Sequence, residues 1–161
     1  MNKKTVIITL IACLVFSPGC FCSNKVKIAL MTKLQSGSVV GVSEVNAAKM
    51  LLEEKGVSNI EIVPFDDAWD PEKTVKAYEE IKREVIKVII TSHTSSCAVA
   101  ISDAVNRDRI LMLVTGSATD VLSERDDYIL RNIHDVRQEQ KLIADYMKSR
   151  GFSSLLVLRY L

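Results

Sequence analysis

The chain of 161 residues is long enough for one ordinary globular domain and short for two. Hydrophobic residues make up 48% and charged residues 25%, which is typical of a folded globular protein. A formal net charge of +1 gives no reason to expect nucleic acid or an anionic membrane as a partner. Four Cys, three of them crowded near the N-terminus, exclude a disulfide framework and show no metal-ligand spacing.

The N-terminus has the pattern of a secretion signal. A basic start precedes an uncharged apolar run at residues 6–16, which the breaker Ser17-Pro18-Gly19 ends. Eleven apolar residues are too few to span a bilayer, which needs about 20. We therefore expect residues 1–19 to be a signal peptide and the mature protein to be secreted across the inner membrane.

Cys20 directly follows a glycine. A small residue before a Cys at this point resembles a bacterial lipoprotein signal, in which the Cys thiol is lipidated and becomes the new N-terminus. Ser17 and Pro18 depart from that pattern, so plain secretion is the alternative. Lipidated Cys20 would tether the protein to a membrane through residues 20–25, without a spanning helix.

From residue 26 onwards, predicted strands alternate with predicted helices. Short apolar runs predict strands at 26–31, 60–65, 85–90, 110–114, 128–131 and 155–160. Helical periodicity and stop signals predict helices at 42–55, from Asp70 and Pro71 onwards, from a Ser95 or Ser96 cap to about Asn106, and at 135–150. Gly56 and Gly151 end the first and last of these helices.

This alternation predicts an α/β fold: a parallel sheet with helices on both faces, joined by right-handed crossovers. The uninterrupted apolar strands indicate burial on both sides of the sheet. Ligands of such sheets bind outside the carboxyl ends of the strands. The loops expected at that end are 32–40, 66–70, 91–95 and 115–120.

The loop at 91–96 is almost entirely hydroxyl-bearing and runs into a predicted helix. Helix N-terminal amides favour a carboxylate or phosphate, and serine hydroxyls add hydrogen-bond donors. Ser95 and Ser96 are therefore candidate ligand contacts. The alternative is that they only cap the helix.

A second polar loop, at 115–119, follows the next strand and should lie beside the first. Two adjacent hydroxyl-rich loops favour one small polar site over two separate caps. Neither loop matches a phosphate-binding glycine motif.

Catalytic and metal chemistry have little support in the sequence. Ser95 with His93 would serve a secreted hydrolase, but no Gly-x-Ser-x-Gly elbow is present. Asp66, Asp67 and Asp70 are better explained as a strand end and a helix cap than as a cation site. We expect no catalytic residue, no metal and no cofactor.

Several stretches together resemble one family, in order and spacing. They are DDAWDPEKTVKAYEEI, VIKVIITSHTSSCAVAISDAV, ILMLVTGSATDVL and YILRNIHDVRQEQKLIADYM. The family is the type I periplasmic binding proteins of the branched-chain amino acid and amide class, the substrate-binding proteins of ABC transporters. The resemblance covers residues 26–160. Ser92-His93 departs from the Gly-Pro or Gly-His pair usual in that loop.

The resemblance implies two lobes that close on a small ligand, and no enzymatic activity. An amino acid's carboxylate would meet Ser95 and Ser96, and its ammonium group would meet the loop Ser117, Ala118 and Thr119. The implied partners are an amino acid-like ligand, an ABC transporter permease and, through the lipid anchor, a membrane. The implied location is periplasmic or membrane-anchored.

The resemblance also divides the chain. Residues 26–133 correspond to the N-terminal ligand-binding lobe and residues 134–161 to the beginning of a second, incomplete lobe. We therefore expect the N-terminal part of a solute receptor, which as a fragment need not be active. The alternative is the ligand-sensing domain of a receptor or regulator, which uses the same fold.

Overall fold

The computed structural model describes residues 25–35, 37–92, 94–123 and 127–156, and strands and helices alternate through this part of the chain. The strands in it are β1 (Val26–Thr32), β2 (Ile60–Asp66), β3 (Val88–Thr91), β4 (Leu111–Val114) and β5 (Ile129–Arg131). The helices in it are α1 (Val39–Glu54), α2 (Pro71–Arg83), α3 (Ser95–Asp108) and α4 (Val136–Ser149), and a 3-10 turn covers Asp120–Leu122.

All five strands pair in parallel in one sheet of order β2-β1-β3-β4-β5. The connection from β1 to β2 places β2 on one side of β1, and the later connections place β3, β4 and β5 on the other side. Because such crossovers are right-handed, α1 lies on one face of the sheet and α2 and α3 lie on the other. The predicted α/β fold is therefore confirmed. The winding direction reverses between β1 and β3, so a crevice opens at the carboxyl ends of these two strands.

The main core lies between the sheet and the pair α2 and α3. Met31, Ile89 and Met112 face it from three adjacent strands and are fully buried. On the opposite face, which α1 covers, Ile90 and Leu113 are only half-buried. The prediction that both faces of the strands are buried is therefore confirmed for the face that packs against α2 and α3. It is only partly confirmed for the face that α1 covers.

Every one of these four helices ends in a Schellman turn, in which a left-handed residue follows the last helical turn. In α1 the amide of Gly56 donates to the Glu53 carbonyl and that of Val57 to the Leu52 carbonyl. Gly56, with φ of +64°, and Gly151, with φ of +73°, supply the left-handed residues of α1 and α4. The sequence predicts both of these helix ends, because glycine adopts this conformation without steric cost.

The same turn closes α2 and α3 without glycine. Val85 has φ of +58° and Arg109 has φ of +52°. The Val85 amide donates to the Lys82 carbonyl, and the Ile86 amide donates to the Ile81 carbonyl. The prediction that the third strand begins at residue 85 was therefore wrong, because the turn uses two residues of the apolar run before β3 begins at Val88.

Replacing Val85 with glycine is expected to raise the free energy of unfolding by about 1 kcal/mol, since a left-handed β-branched residue is strained. Val85 is 72% exposed, so little packing is lost. The reciprocal change Gly56→Val should lower stability by about 1–2 kcal/mol, because only the backbone conformation penalises it. Urea unfolding of both variants measures the two changes, and a loss of stability in Val85→Gly would contradict the strain.

A buried hydroxyl ties α2 to α3. The Tyr78 hydroxyl donates to Oδ2 of Asp108 at 2.8 Å, and Nζ of Lys82 lies 3.0 Å from the same oxygen. Nε of Arg107 donates to the other carboxylate oxygen at 3.1 Å. These hydrogen bonds from Arg107, Lys82 and Tyr78 hold the pKa of Asp108 well below its usual range.

This arrangement predicts a loss of stability in acid. The folded-state pKa of Asp108 lies below the unfolded value of about 3.9, so its contribution is present above about pH 4 and is lost as pH falls towards the folded pKa. Urea midpoints between neutral pH and about pH 2.5 should fall more steeply for the native chain than for Asp108→Asn. Parallel curves for the two proteins would contradict a role for Asp108.

The last described helix stands apart from the core. The helix predicted at 135–150 is present, with Asp135 as its N-cap accepting the Gln138 amide at 3.0 Å, but none of the helical residues is buried. Leu142 is 71% exposed and Tyr146 is 58% exposed. Of the strand predicted at 155–160, Leu155 and Leu156 are outside any strand and the rest lies outside the described residues.

The predicted signal peptide and Cys20 also lie outside the described residues. Among the helices of the described part, none has the length and apolar character needed to cross a membrane.

Candidate ligand-binding site

The floor of the crevice between β1 and β3 is a chain of buried hydroxyl groups. The Ser92 hydroxyl donates to Oγ1 of Thr32 at 2.9 Å, and the Thr32 hydroxyl donates to Oε2 of Glu44 at 2.7 Å. Thr32 is fully buried and Ser92 is 5% exposed. The hydrogen bonds join the carboxyl ends of the two strands to α1 and fix the position from which the loop after β3 departs.

The two hydroxyl-rich loops meet where the sequence predicts. The hydroxyl of Ser117, after β4, donates to Oγ of Ser95, at the start of α3, at 2.9 Å. Ser117 is fully buried, Ser95 is half-buried and Ser96 is exposed. Ser117 therefore supports Ser95 from below, while Ser95 and Ser96 occupy the accessible edge.

The N-cap of α3 is Thr94, which corrects the prediction that Ser95 or Ser96 caps the helix. Thr94 has extended backbone angles, and its carbonyl accepts the first helical hydrogen bond, from the Ala98 amide. The Thr94 side chain makes no capping hydrogen bond. The two serines lie in the first turn, so their hydroxyls are not used as caps.

This helix start suits an anion. The first amides of a helix have no intrahelical acceptor, and the helix dipole adds partial positive charge there. Within the described residues, the buried hydroxyls of Thr91 and Thr94 also have no hydrogen-bond partner. Amides, an accessible serine pair and unsatisfied hydroxyls thus occur together at the ends of β3 and the start of α3. His93, which the hydrolase alternative requires, lies outside the described residues.

The rest of the second loop contacts the segment around β5 and α4. The Ala118 carbonyl accepts the Val136 amide at 2.9 Å. The Thr119 hydroxyl accepts a hydrogen bond from the Val121 amide at 3.4 Å, and the Thr119 carbonyl accepts a hydrogen bond from the Arg131 guanidinium. Ala118 and Thr119 are therefore partly engaged within the protein, as Ser95 is through Ser117.

A polar cluster around Arg131 was not predicted from the sequence. Its guanidinium donates to the Ser123 hydroxyl, which donates to Oδ2 of Asp135 at 3.2 Å. The Gln138 amide and the Ser123 hydroxyl lower the pKa of Asp135, whose side chain is 9% exposed. The spacing Asp-x-x-Gln at a helix start was the available signal for its capping role.

The acidic loop after β2 stabilises the opposite side of the crevice. Oδ1 of Asp66 accepts the Leu34 and Ala68 amides, both at 3.0 Å, and Asp70 caps α2 through the Lys73 amide at 2.9 Å. The predicted strand-end and capping roles are therefore confirmed.

Asp67 and Trp69 lie in the same loop. Asp67 is 3% exposed and accepts the Trp69 amide at 3.0 Å, and burial is the main cause of its raised pKa. Ala68 and Trp69 both have left-handed φ values, and Nζ of Lys33 lies 5.6 Å from the Trp69 ring. Consecutive strained residues of this kind persist only where the surrounding contacts hold them.

Known proteins of one family share this sequence pattern. The model of the family described as periplasmic binding protein matches residues 25–160. The Leu/Ile/Val-binding protein BraC3 of Rhizobium johnstonii is 26% identical over 159 residues, which cover 91% of this chain and 42% of that protein. The chain thus spans about two fifths of the length of this curated relative.

Two solved structures have the same fold. A solute-binding protein of an ABC transporter from Rhodopseudomonas palustris, in complex with 3,4-dihydroxybenzoic acid, matches with a TM-score of 0.70 and 23% identity, covering 80% of this chain and 37% of its own. A substrate-binding protein of an ABC transporter from Desulfitobacterium hafniense, in complex with leucine, matches with a TM-score of 0.69 and 18% identity, covering 79% of this chain and 39% of its own. At these identities the likeness shows the fold alone.

Proposed function

The chain belongs to the periplasmic binding protein family, and from that premise we propose that it is the N-terminal lobe of an extracytoplasmic solute-binding protein of an ABC importer. Its ligand is an amino acid or a similar small polar carboxylate. The role is binding without catalysis, and the partner is a transporter permease.

The observation that carries this proposal is the 2.9 Å hydrogen bond between Ser117 and Ser95 at the start of α3, where the N-cap Thr94 makes no side-chain hydrogen bond. It brings two loops to one edge of the sheet and leaves Ser96 exposed beside the helix amides. The two solved relatives are in complex with leucine and a dihydroxybenzoic acid, and both ligands carry a carboxylate. A carboxylate at this edge would accept hydrogen bonds from Ser95, Ser96 and the first-turn amides.

The proposal extends to the rest of the chain. Residues 1–19 act as a signal peptide, Cys20 carries the lipid, and residues 134–161 begin the second lobe. The exposed apolar side chains of α4, such as Leu142 and Tyr146, support the last point, because an amphipathic helix of a folded protein normally covers apolar surface. Incorporation of labelled fatty acid that a Cys20→Ser substitution does not remove would contradict the lipid attachment.

Titration calorimetry of the chain with L-leucine and with 3,4-dihydroxybenzoate, each compared with the derivative in which an uncharged carboxamide replaces the carboxylate, tests the ligand class. The acids should bind about tenfold more tightly than the amides, because hydrogen bonds to a charged acceptor are the stronger ones. Ser95→Ala should weaken binding several-fold, whereas Ser58→Ala, at an exposed residue before β2, should not. Equal affinity for acid and amide, no binding of either acid, or an unaffected Ser95→Ala would contradict the proposal.

A further inference from the structure

The near-zero net charge conceals a separation of charge between the two edges of the sheet. At the carboxyl ends lie predominantly acids: Glu44, Asp66, Asp67, Asp70 and Asp120. The segments at the amino ends of β1, β3 and β4 contain the basic residues Lys25, Lys87 and Arg109 and one acid, Glu84. Because surface charge acts over about a Debye length of 8–10 Å, the local charge of each edge decides what it attracts.

A recess of about 380 Å³ lies at the amino ends of β1 and β3. Lys25, Lys27 and Lys87 line it, together with one acid, Glu84. Nζ of Lys27 lies 2.9 Å from Oε2 of Glu84, so that acid is already paired. The ammonium groups of Lys25 and Lys87 have no hydrogen-bond or ion-pair partner in the described part of the chain. With three lysines against Glu84 and the nearby Glu61, the recess carries a net positive charge.

Apolar side chains border the same recess. Val26 is 54% exposed and Val85 is 72% exposed. Val85 projects from the strained turn that closes α2, where a glycine would be the unstrained choice. Lysines around exposed apolar side chains are the composition of a surface that lies in a membrane interface. Free phosphate would interact with the lysines but would not bury the exposed valine side chains.

The chain enters the domain at this edge. Lys25 immediately precedes β1, and Cys20 is five residues earlier, a distance that extended chain spans in at most about 18 Å. If residues before Lys25 are held at a membrane, the recess is held within reach of the lipid headgroups.

We propose that the recess lined by Lys25, Lys27 and Lys87 binds the phosphate headgroup of an anionic phospholipid, so that the amino-end edge of the sheet lies on the membrane surface. This inference uses one part of the proposed function, namely that the N-terminus is held at a membrane. It directs the carboxyl-end edge away from the bilayer by about the length of β1, some 23 Å for seven residues. In this membrane-bound orientation the ligand site would face solvent and stay clear of lipid.

The test compares lysine reactivity of the full chain in two kinds of vesicle, phosphatidylcholine alone and phosphatidylcholine with one third phosphatidylglycerol. The same full chain, with residues 1–19 retained, is added to both kinds of vesicle. A water-soluble amine reagent and mass spectrometry measure the labelling of each lysine. Lys25 and Lys87 should react about fivefold more slowly with phosphatidylglycerol present, and high salt should abolish the protection. Lys73, at the carboxyl-end start of α2, should react equally in both vesicles.

Charge-reversal variants supply the control. In the native chain Lys27, which lines the same recess, should be protected as well. Lys25→Glu with Lys87→Glu should remove this protection, whereas Lys73→Glu with Lys76→Glu should leave it intact. Equal labelling of Lys25 and Lys87 in both vesicles, or equal protection of Lys73, would overturn the proposal. So would protection by inorganic phosphate without vesicles. Carboxylate binding is not measured, so none of these results bears on the proposed ligand site.

Discussion

Replacing Gly41 with alanine is expected to destabilise the protein by at least about 3 kcal/mol, beyond the usual cost of overpacking a core. A Cβ on Gly41 would lie 2.0 Å from the Lys33 carbonyl oxygen and 2.9 Å from Oγ1 of Thr32. Lys33 directly follows β1, an interior strand that pairs with both β2 and β3, so its backbone cannot withdraw without disturbing the sheet. A loss of this size is a large fraction of the 5–15 kcal/mol that typically stabilises a domain.

Urea unfolding measures this effect, and Gly37→Ala is the matched control. A Cβ at Gly37 has no atom within 4 Å, and only its φ of +70° penalises alanine, by about 1 kcal/mol. A Gly41→Ala protein no less stable than Gly37→Ala would contradict the close contact between α1 and the end of β1.

Replacing Thr32 with valine is expected to cost about 2 kcal/mol, although the two side chains have nearly the same shape. The change leaves the Ser92 hydroxyl without its acceptor and removes the Thr32 hydrogen bond to Glu44, at a site where Thr32 is fully buried. The loop after β3 would lose its connection to β1, so carboxylate affinity should fall as well.

Thr91→Val provides the comparison on the neighbouring strand. Thr91 is 2% exposed, and its hydroxyl has no hydrogen-bond partner among the described residues. Removing an unsatisfied buried hydroxyl should leave stability unchanged or raise it by about 1 kcal/mol. Equal unfolding free energies for the two valine variants would show that the hydroxyl chain contributes nothing to stability.

The order of strands and helices was predictable because each strand is an apolar run and each helix has an apolar stripe. The proximity of Ser95 to Ser117 was predictable as well, since consecutive parallel strands that pair place their following loops side by side. Neither inference needs knowledge of individual side-chain contacts.

The errors occurred where the backbone adopts a conformation that the residue type does not favour. Val85 has a left-handed backbone conformation. The first residues of the apolar run at 85–90 therefore close α2, although the run is typical of a strand. The cap of α3 is Thr94 instead of either serine, in a run of hydroxyl residues where composition cannot distinguish the boundary.

Contacts between separate elements could not be predicted from the sequence, for a different reason. The clash that makes Gly41 indispensable involves Lys33, and the Arg131 cluster joins segments that only the folded chain brings together. A glycine in a helix interior and an arginine at a strand end have many alternative explanations, and nothing local selects among them.

The central claim is that a small carboxylate binds at the start of α3 and beside the loop after β4. Two-dimensional amide NMR of the chain during titration with L-leucine tests it most directly. The account predicts that the amides of Ser95, Ser96 and Cys97 shift together with those of Ala118 and Thr119, along one saturating curve, and that leucinamide shifts them far less. Saturable shifts confined to the amino-end edge of the sheet, or no saturable shift at the α3 start, would contradict it.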